Sequence, residues 1–342
     1  MSGPAPVPRI AVVGAGSLIG EALIAELDAR AVPRARLFAL EESRTLGRLA
    51  DRGGGEESIG DVDTFDFGDV DLAFFCSHAA SARRYAAAAA AHALVIDGTS
   101  AHRDDPAVPL VVADVNPHIL DGFGPRGLIA LPGSASAALA TALAPLAALA
   151  GLERVDVATY HAVSGAGRAG VDGLAADTIA LLGGQASRGR PFGAQIGFNV
   201  LPFVGSAGPD GVCAEERRLI EETRRVLGLP EFEIGATAVR VPVFFGHGLA
   251  AHVRLARPFT LADAAEALRQ GAGLRLIEAR PGEPAPTPAA AALAPDRVYV
   301  GRLRIDSSRD RSLNFWVVAD NVRKCAAHNA VSVAQILVNR AR

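Results

Sequence analysis

The chain has 342 residues, 50% hydrophobic and 21% charged, with a net charge of −3, enough for two globular domains with a core each. Acids and bases are intermixed, so no basic field exists to hold nucleic acid or an anionic membrane. Cys76, Cys213 and Cys325 are too far apart for a metal motif or a disulfide framework; Met1–Pro8 lacks the regions of a signal peptide, and the alanine-rich runs are too short, or broken by Pro145, to span a bilayer. A cytoplasmic protein with no metal site is expected.

The first stretch alternates strands and helices. Arg9–Val13 is an apolar run typical of a buried parallel strand, followed by a glycine turn and a helix over Gly20–Ala29. Ala35–Leu40, Asp71–Cys76 and Ala93–Ile96 read as further strands, with a helix around Ala82–Ala91, and Leu110–Val112 and Gly127–Ala130 complete the set. The Gly/Glu-rich segment 52–60 reads as a loop or hairpin. This rhythm predicts a Rossmann-type doubly wound parallel sheet.

From Ser136 to Ala150 a helix of small residues follows, and the rhythm changes. Val155–His161, Ala238–Phe245, Ala251–Ala256, Val298–Ile305 and Phe315–Val318 read as strands of a second, α+β domain with a mostly antiparallel sheet. Glu215–Leu227 and Leu261–Gln270 read as its helices, Ser164–Gly170 as a glycine loop, and Ala279–Ala294 as an exposed loop. Asn321–Asn339 is a last amphipathic helix. The expected boundaries are 1–130 for the nucleotide domain, 131–320 for the substrate and dimerisation domain, and 321–342 for the C-terminal helix packing back on the first.

Gly14-Ala15-Gly16-Ser17-Leu18-Ile19-Gly20 joins the first strand to the first helix. Glycines let the backbone turn tightly against a phosphate, and the helix start adds partial positive charge. The spacing is G-x-G-x-x-x-G; its position makes a dinucleotide site a better reading than a bare turn. At the end of the second strand, Glu41 and Glu42 suit the ribose hydroxyls of NAD, while Ser43 and Arg44 suit the 2′-phosphate of NADP. The residues alone leave both open.

Several separated segments, in order, resemble the aspartate-semialdehyde dehydrogenase family over nearly the whole chain. They are the glycine turn, Ser43–Arg48, Gly98–Arg103 with Val108–Val112, Ser164–Gly170, Arg240–Val243 with His247, and Trp316–Lys324 with Asn329-Ala330. The resemblance implies NADPH-dependent reductive dephosphorylation of aspartyl phosphate in amino-acid biosynthesis, through a cysteine thioester, by a homodimer acting on a small molecule. It makes His247 the acid/base, Arg240 the clamp on the substrate carboxylate, Arg103 the phosphate-binding arginine, and Glu215 and Arg218 further substrate contacts. It places Gly14, Gly16, Ser17, Leu18, Ile19, Gly20, Ser43, Arg44, Ser164, Gly165 and Asn321 at the cofactor, and puts NADP first, with NAD possible.

The departures fall on the chemistry. The family's Asn-Pro-Asn-Cys motif reads Leu131-Pro132-Gly133-Ser134 here, and a glutamine after the tyrosine of the following strand is His161. The pattern is similar to the Usg-type paralogues of the family. A serine needs a hydrogen-bonded base where a cysteine ionises by itself. The parent activity is therefore expected to be weak or absent, with Ser134 in the nucleophile's place; the alternative is a non-catalytic, nucleotide-binding regulatory homodimer, a pseudoenzyme. Cys213 is the least unsuited of the three cysteines to stand in as the thiol.

Overall fold

In the computed structural model, which describes residues 7–43, 59–278 and 285–340, contacts divide the chain into two units. One is Met1–Pro132 with Ala326–Arg342, the other Gly133–Cys325.

The first unit grows from β1 (Ile10–Val13), four buried aliphatic residues in succession. A strand apolar on both sides must be covered on both sides. After it come α1 (Leu18–Ala29), β2 (Leu37–Glu41), β3 (Gly60–Asp61), β4 (Leu72–Phe75), α2 (Ala79–Ala90), β5 (Leu94–Asp97) and β6 (Gly127–Ala130). The six strands form one parallel sheet in the order β3-β2-β1-β4-β5-β6. Successive side chains of β1 point to opposite faces. Ile10 and Val12 pack with Leu23 and Leu27 of α1 and with Val331, Val333 and Leu337 of the C-terminal helix, Asn329–Arg340. Ala11 and Val13 pack with Ala82, Ala86 and Ala89 of α2. The buried Asn329 clasps the C-terminal helix to this unit: its side chain accepts from Ala113 N at 2.8 Å and donates to Val111 O at 3.1 Å.

Two expectations change here. Leu110–Val112 is no strand; Leu110 makes one bridge to Ala130, and Val112 N donates to the Asn116 side chain (2.8 Å), which replaces a ladder bond. The last helix does not run unbroken from Asn321: a π-helical turn, Arg323–His328, comes first, started by the Asp320 carboxylate, which accepts from Val322 N and Arg323 N. Of the expected loop 52–60, residues 52–58 lie outside those described, and Gly60 begins β3.

The second unit is organised around α3 (Ser134–Ala150), with eleven buried residues among its seventeen. Its alanines let neighbours approach closely, and Leu139, Leu143 and Leu146 at 0% exposure supply bulk; truncating one such leucine to alanine costs about 2–5 kcal/mol. Then follow β7 (Leu152–His161), α4 (Gly167–Leu182), α5 (Ala214–Leu227), β8 (Glu233–Arg240), β9 (His247–Leu255), α6 (Leu261–Gln270), β10 (Leu274–Ile277), α7 (Pro288–Leu293), β11 (Val298–Ile305) and β12 (Ser312–Ala319). The sheet order is β10-β11-β12-β9-β7-β8; β7/β8 and β10/β11 are parallel and the other pairs antiparallel.

Three corrections apply. The expected strand 238–245 ends at Arg240, because Pro242 supplies no amide hydrogen and Gly246 turns the chain at φ +88° before β9 starts at His247. The expected glycine loop 164–170 is a 3-10 turn running into α4; Gly170 is required because a Cβ there would lie 2.1 Å from Val163 O. In 279–294, residues 279–284 lie outside those described, and Pro288–Leu293 is helical, capped by the Thr287 hydroxyl.

Candidate active site

In the first unit the glycine turn is tied down by side chains. Gly14 sits at φ +92°, and a Cβ there would lie 2.6 Å from Ser77 N, so only glycine fits. Ser17 caps α1: its Oγ accepts from Gly20 N and donates to Cys76 O, both at 2.9 Å. Gly16 N donates to Glu41 Oε1 at 2.8 Å. Burial pushes the Glu41 carboxyl above its usual range, against the pull of that bond. Leu18 and Ile19 open the helix, where first-turn N–H groups have no intrahelical acceptor. A backbone cradle that a Cβ would fill, beside a helix start with free donors, fits a dinucleotide diphosphate.

At the end of β2 the Ser43 hydroxyl lies 2.5 Å from Asp61 and 3.1 Å from Asp63. Asp63 also takes bonds from Tyr85 and Arg84, and its carboxyl is held low, chiefly by Tyr85. Ser43 thus stands among acids; Arg44 lies outside the described residues. Arg103, in the loop after β5, donates to Gly98 O at 2.9 Å. Its neighbour His102 has Nδ1 2.7 Å from the buried Asp97 carboxylate.

In the second unit three strand ends meet. His161 ends β7, Arg240 ends the parallel β8 paired with it, and His247 begins β9 on the other side of β7. The topology, not spacing along one strand, brings Arg240 and His247 together. Gly165 lies against both: a Cβ there would be 3.4 Å from Arg240 Nη1 and from His247 Cε1.

Arg240 is 7% exposed, donates from Nη1 to Ala162 O at 2.9 Å, and has the Phe192 ring 5.1 Å from its guanidinium carbon. Burial lowers its pKa and Glu215 pulls it back up. The His247 ring is 2% exposed, and its Nδ1 accepts from Ala162 N at 3.1 Å. A backbone N–H only donates, so in neutral His247 the proton sits on Nε2. Burial first, then His161 and Arg240, hold this imidazole well below its usual range. The His161 ring lies 4.6 Å from that of His247, with Nε2 2.9 Å from Thr159 Oγ1 and Nδ1 4.0 Å from Glu215 Oε1. Burial and Arg240 lower it to about 3.

Glu215 is placed by its neighbour. Glu216 accepts from Cys213 N at 2.7 Å, closing the capping box of α5, and from Ala238 N at 2.9 Å, fastening the helix start to β8. Glu215, Arg218 and Glu222 share one helix face by their spacing. Arg218 is half-buried, with no hydrogen bond or ion pair among the described residues. Glu222 accepts from Gly133 N at 2.6 Å, immediately before Ser134, the first residue of α3. The Ser134 hydroxyl has no hydrogen bond among the described residues, to His247 or to any other group. Ser164 and Asn321 bond to each other (3.0 and 3.1 Å), and Gly246 N donates to Asn321 Oδ1 at 2.9 Å, so Asn321 clamps the turn before His247.

All three cysteines are buried thiols, and burial pushes Cys76 up to about 12. Cys213 is 0% exposed, which removes the stand-in considered from sequence. Sequence reasoning noted His161 only as a departure and missed Glu222; the signal for Glu222 was its seven-residue spacing from Glu215.

A parallel Rossmann-type sheet followed by a mixed-sheet domain carrying buried histidine, arginine and a helix-start hydroxyl defines a two-domain dehydrogenase fold. Residues 9–122 match the family description "Semialdehyde dehydrogenase, NAD binding domain", and residues 143–324 match "Semialdehyde dehydrogenase, dimerisation domain". The chain belongs to the aspartate-semialdehyde dehydrogenase family. It is 37% identical over 331 residues to the aspartate-semialdehyde dehydrogenase of Shewanella violacea, covering 96% of this chain and 97% of that one. It is 36% identical over 337 residues to the "USG-1 protein homolog" of Azotobacter vinelandii, covering 98% and 99%. Among solved structures, aspartate semialdehyde dehydrogenase II of Vibrio cholerae, complexed with ASA, matches with a TM-score of 0.90 at 36% identity, covering 98% and 99%.

Proposed function

We propose that this chain is a homodimeric, nicotinamide-nucleotide-binding protein of aspartate-semialdehyde dehydrogenase type whose parent activity is weak or absent. The observation that carries the reading is at Ser134. Among the described residues its hydroxyl, at a helix start, has no hydrogen-bonded base, and His247 holds its Nδ1 lone pair on Ala162 N. In the neutral state His247 therefore offers a proton from Nε2 and has no lone pair there to take one from serine. An oxygen ester is also a poorer acyl donor than a thioester.

The remaining roles follow the resemblance. Arg240, with Glu215 and Arg218, receives a small amino-acid-derived anion, and Arg103 receives its phosphate. His247 donates a proton to the developing oxyanion. Gly14, Gly16, Ser17, Leu18, Ile19 and Gly20 hold the diphosphate, and Ser164, Gly165 and Asn321 shape the backbone at the nicotinamide. A bound nicotinamide supplies hydride transfer. NADP is the proposed nucleotide, through Ser43 and Arg44; Glu41 and the acids around Ser43 support NAD as a second ligand. The same feature at Ser134 supports the second reading, a non-catalytic regulatory homodimer that retains nucleotide affinity.

The test is to titrate the protein with NADPH and with NADH by fluorescence, and then to assay phosphate-dependent NADPH formation from aspartate semialdehyde. Nucleotide binding with little turnover is expected. Turnover comparable to that of a thiol enzyme of the family overturns the reading, as does the absence of binding of either nucleotide.

A further inference from the structure

A cleft at the carboxyl end of β2 and β3 is lined by Glu42, Ser43, Asp63, Ala80 and Arg84 and has a volume of about 390 Å³. It adjoins the glycine turn. Glu41, which accepts from Gly16 N at 2.8 Å, is paired across the sheet with Asp61 of β3, and Ser43 follows two residues later. A dinucleotide whose diphosphate lies on that turn brings its adenosine ribose to the end of β2. A cleft of this size takes a ribose with or without a 2′-phosphate, so the choice falls to charge and hydrogen bonding.

Both oxygens of Asp63 are engaged. Oδ1 accepts from the Tyr85 hydroxyl and, at 2.8 Å, from Arg84 Nη2, two side chains of α2. Oδ2 lies 3.1 Å from the Ser43 hydroxyl, which is also 2.5 Å from Asp61 Oδ2. The single hydroxyl proton of Ser43 is therefore directed at a carboxylate, whichever of the two takes it. A ribose 2′-hydroxyl carries a proton of its own and can donate it to Asp63 or to the Ser43 oxygen. An ionised 2′-phosphate accepts only and needs donors. Ser43 and Arg84, two donors lining the cleft, are both turned toward acids.

We infer that Asp63 is a specificity-determining residue at the ribose end of the nucleotide site, favouring a 2′-hydroxyl over a 2′-phosphate through its own charge and through its hold on Arg84 and Ser43. The inference rests on the proposed reading of the glycine turn as the diphosphate cradle, and it gives a physical reason why NAD competes there with NADP. The Asp63 side chain is 27% exposed, so solvent screens its charge and limits the effect to about tenfold.

The experiment is fluorescence titration of the full chain with NADPH and with NADH, giving a Kd for each, in the unmodified protein, Asp63→Asn and Arg84→Ala. Both nucleotides should bind the unmodified protein. In Asp63→Asn the ratio of the NADH Kd to the NADPH Kd should rise about tenfold, because a repelling charge is lost and Arg84 is released. In Arg84→Ala, which leaves Asp63 without its counter-charge, the ratio should fall; this variant at an exposed position keeps the inference testable if Asp63→Asn does not fold. General loosening of the cleft weakens both nucleotides alike and leaves the ratio where it was. An unchanged or lower ratio in Asp63→Asn overturns the inference, as does a ratio that rises in Arg84→Ala. NADH binding too weak to measure beside tight NADPH binding in the unmodified protein also overturns it. Binding of neither nucleotide sinks the proposed cradle and the inference together.

Discussion

Replacing Ser134 by cysteine puts a thiol on the first residue of α3. A free cysteine ionises near pH 8.5, and the positive end of a helix lowers that value. Glu222 opposes the shift: its carboxylate already accepts from Gly133 N at 2.6 Å, so negative charge occupies the helix start. The new thiol is therefore expected to ionise only at about pH 7.5–8.5, giving roughly 3–25% thiolate at pH 7. Even the lower fraction far exceeds what a serine hydroxyl offers beside a histidine that presents Nε2–H. The expected gain in kcat/KM for phosphate-dependent oxidation of aspartate semialdehyde is at least about 100-fold, or about 2.7 kcal/mol of transition-state stabilisation. Thiol ionisation can be read separately from the pH dependence of iodoacetamide alkylation, because the three native cysteines are buried. Unmodified protein within tenfold of the folded Ser134→Cys variant would refute the reasoning, since the base that activates serine would then exist and have been missed.

Gly14→Val should abolish NADPH binding, because a Cβ at φ +92° would meet the Ser77 backbone at 2.6 Å; a fluorescence titration checks this, with thermal unfolding confirming that the variant folds. Asn329→Ala should cost about 1–3 kcal/mol in urea unfolding, because Ala113 N and Val111 O each lose a buried partner; an unchanged midpoint would mean that water satisfies both. His161 is lowered to about 3 in the folded chain, against about 6.5 unfolded. Between these values the unfolded chain binds more protons, so this contribution is present above about pH 6.5 and is lost as pH falls. The slope for this residue approaches about 1.4 kcal/mol per pH unit, and His161→Gln should unfold with a visibly shallower dependence between pH 6.5 and 5.

The sequence made the nucleotide unit legible because its signals are local. Ile10–Val13 is apolar throughout, and a glycine turn and helix follow at once. The second unit is less legible because its site is made by topology. The expected strand 238–245 holds Arg240 and stops short of His247; the structure ends that strand at Arg240 and returns the chain on the far side of β7. His161 joins them only because β7 lies between β8 and β9. Helix α4 was hidden by Gly167, Gly170 and Gly173, poor helix formers by propensity. At Gly170 a close approach to Val163 O demands glycine, and tertiary packing overrides the propensity.

The serine and the histidine are best understood together. A thiolate that has lost its proton to solvent needs nothing from His247 except a donor for the oxyanion, and Ala162 N fixes the ring in that form. A serine asks the reverse of the same ring. Freeing Nδ1 would not help unless another group took the proton, and the Glu215 carboxylate lies 4.0 Å from Nδ1 of His161, the neighbouring ring. On the roles proposed above, oxygen in place of sulfur at position 134 removes attack while leaving the anion clamp and the proton donor in place. On this argument Ser134→Cys alone should recover more of the reaction than any change made at His161 or His247 in the serine background. A histidine variant that activates Ser134 without a thiol would show that the tautomer held by Ala162 is not what limits the chain.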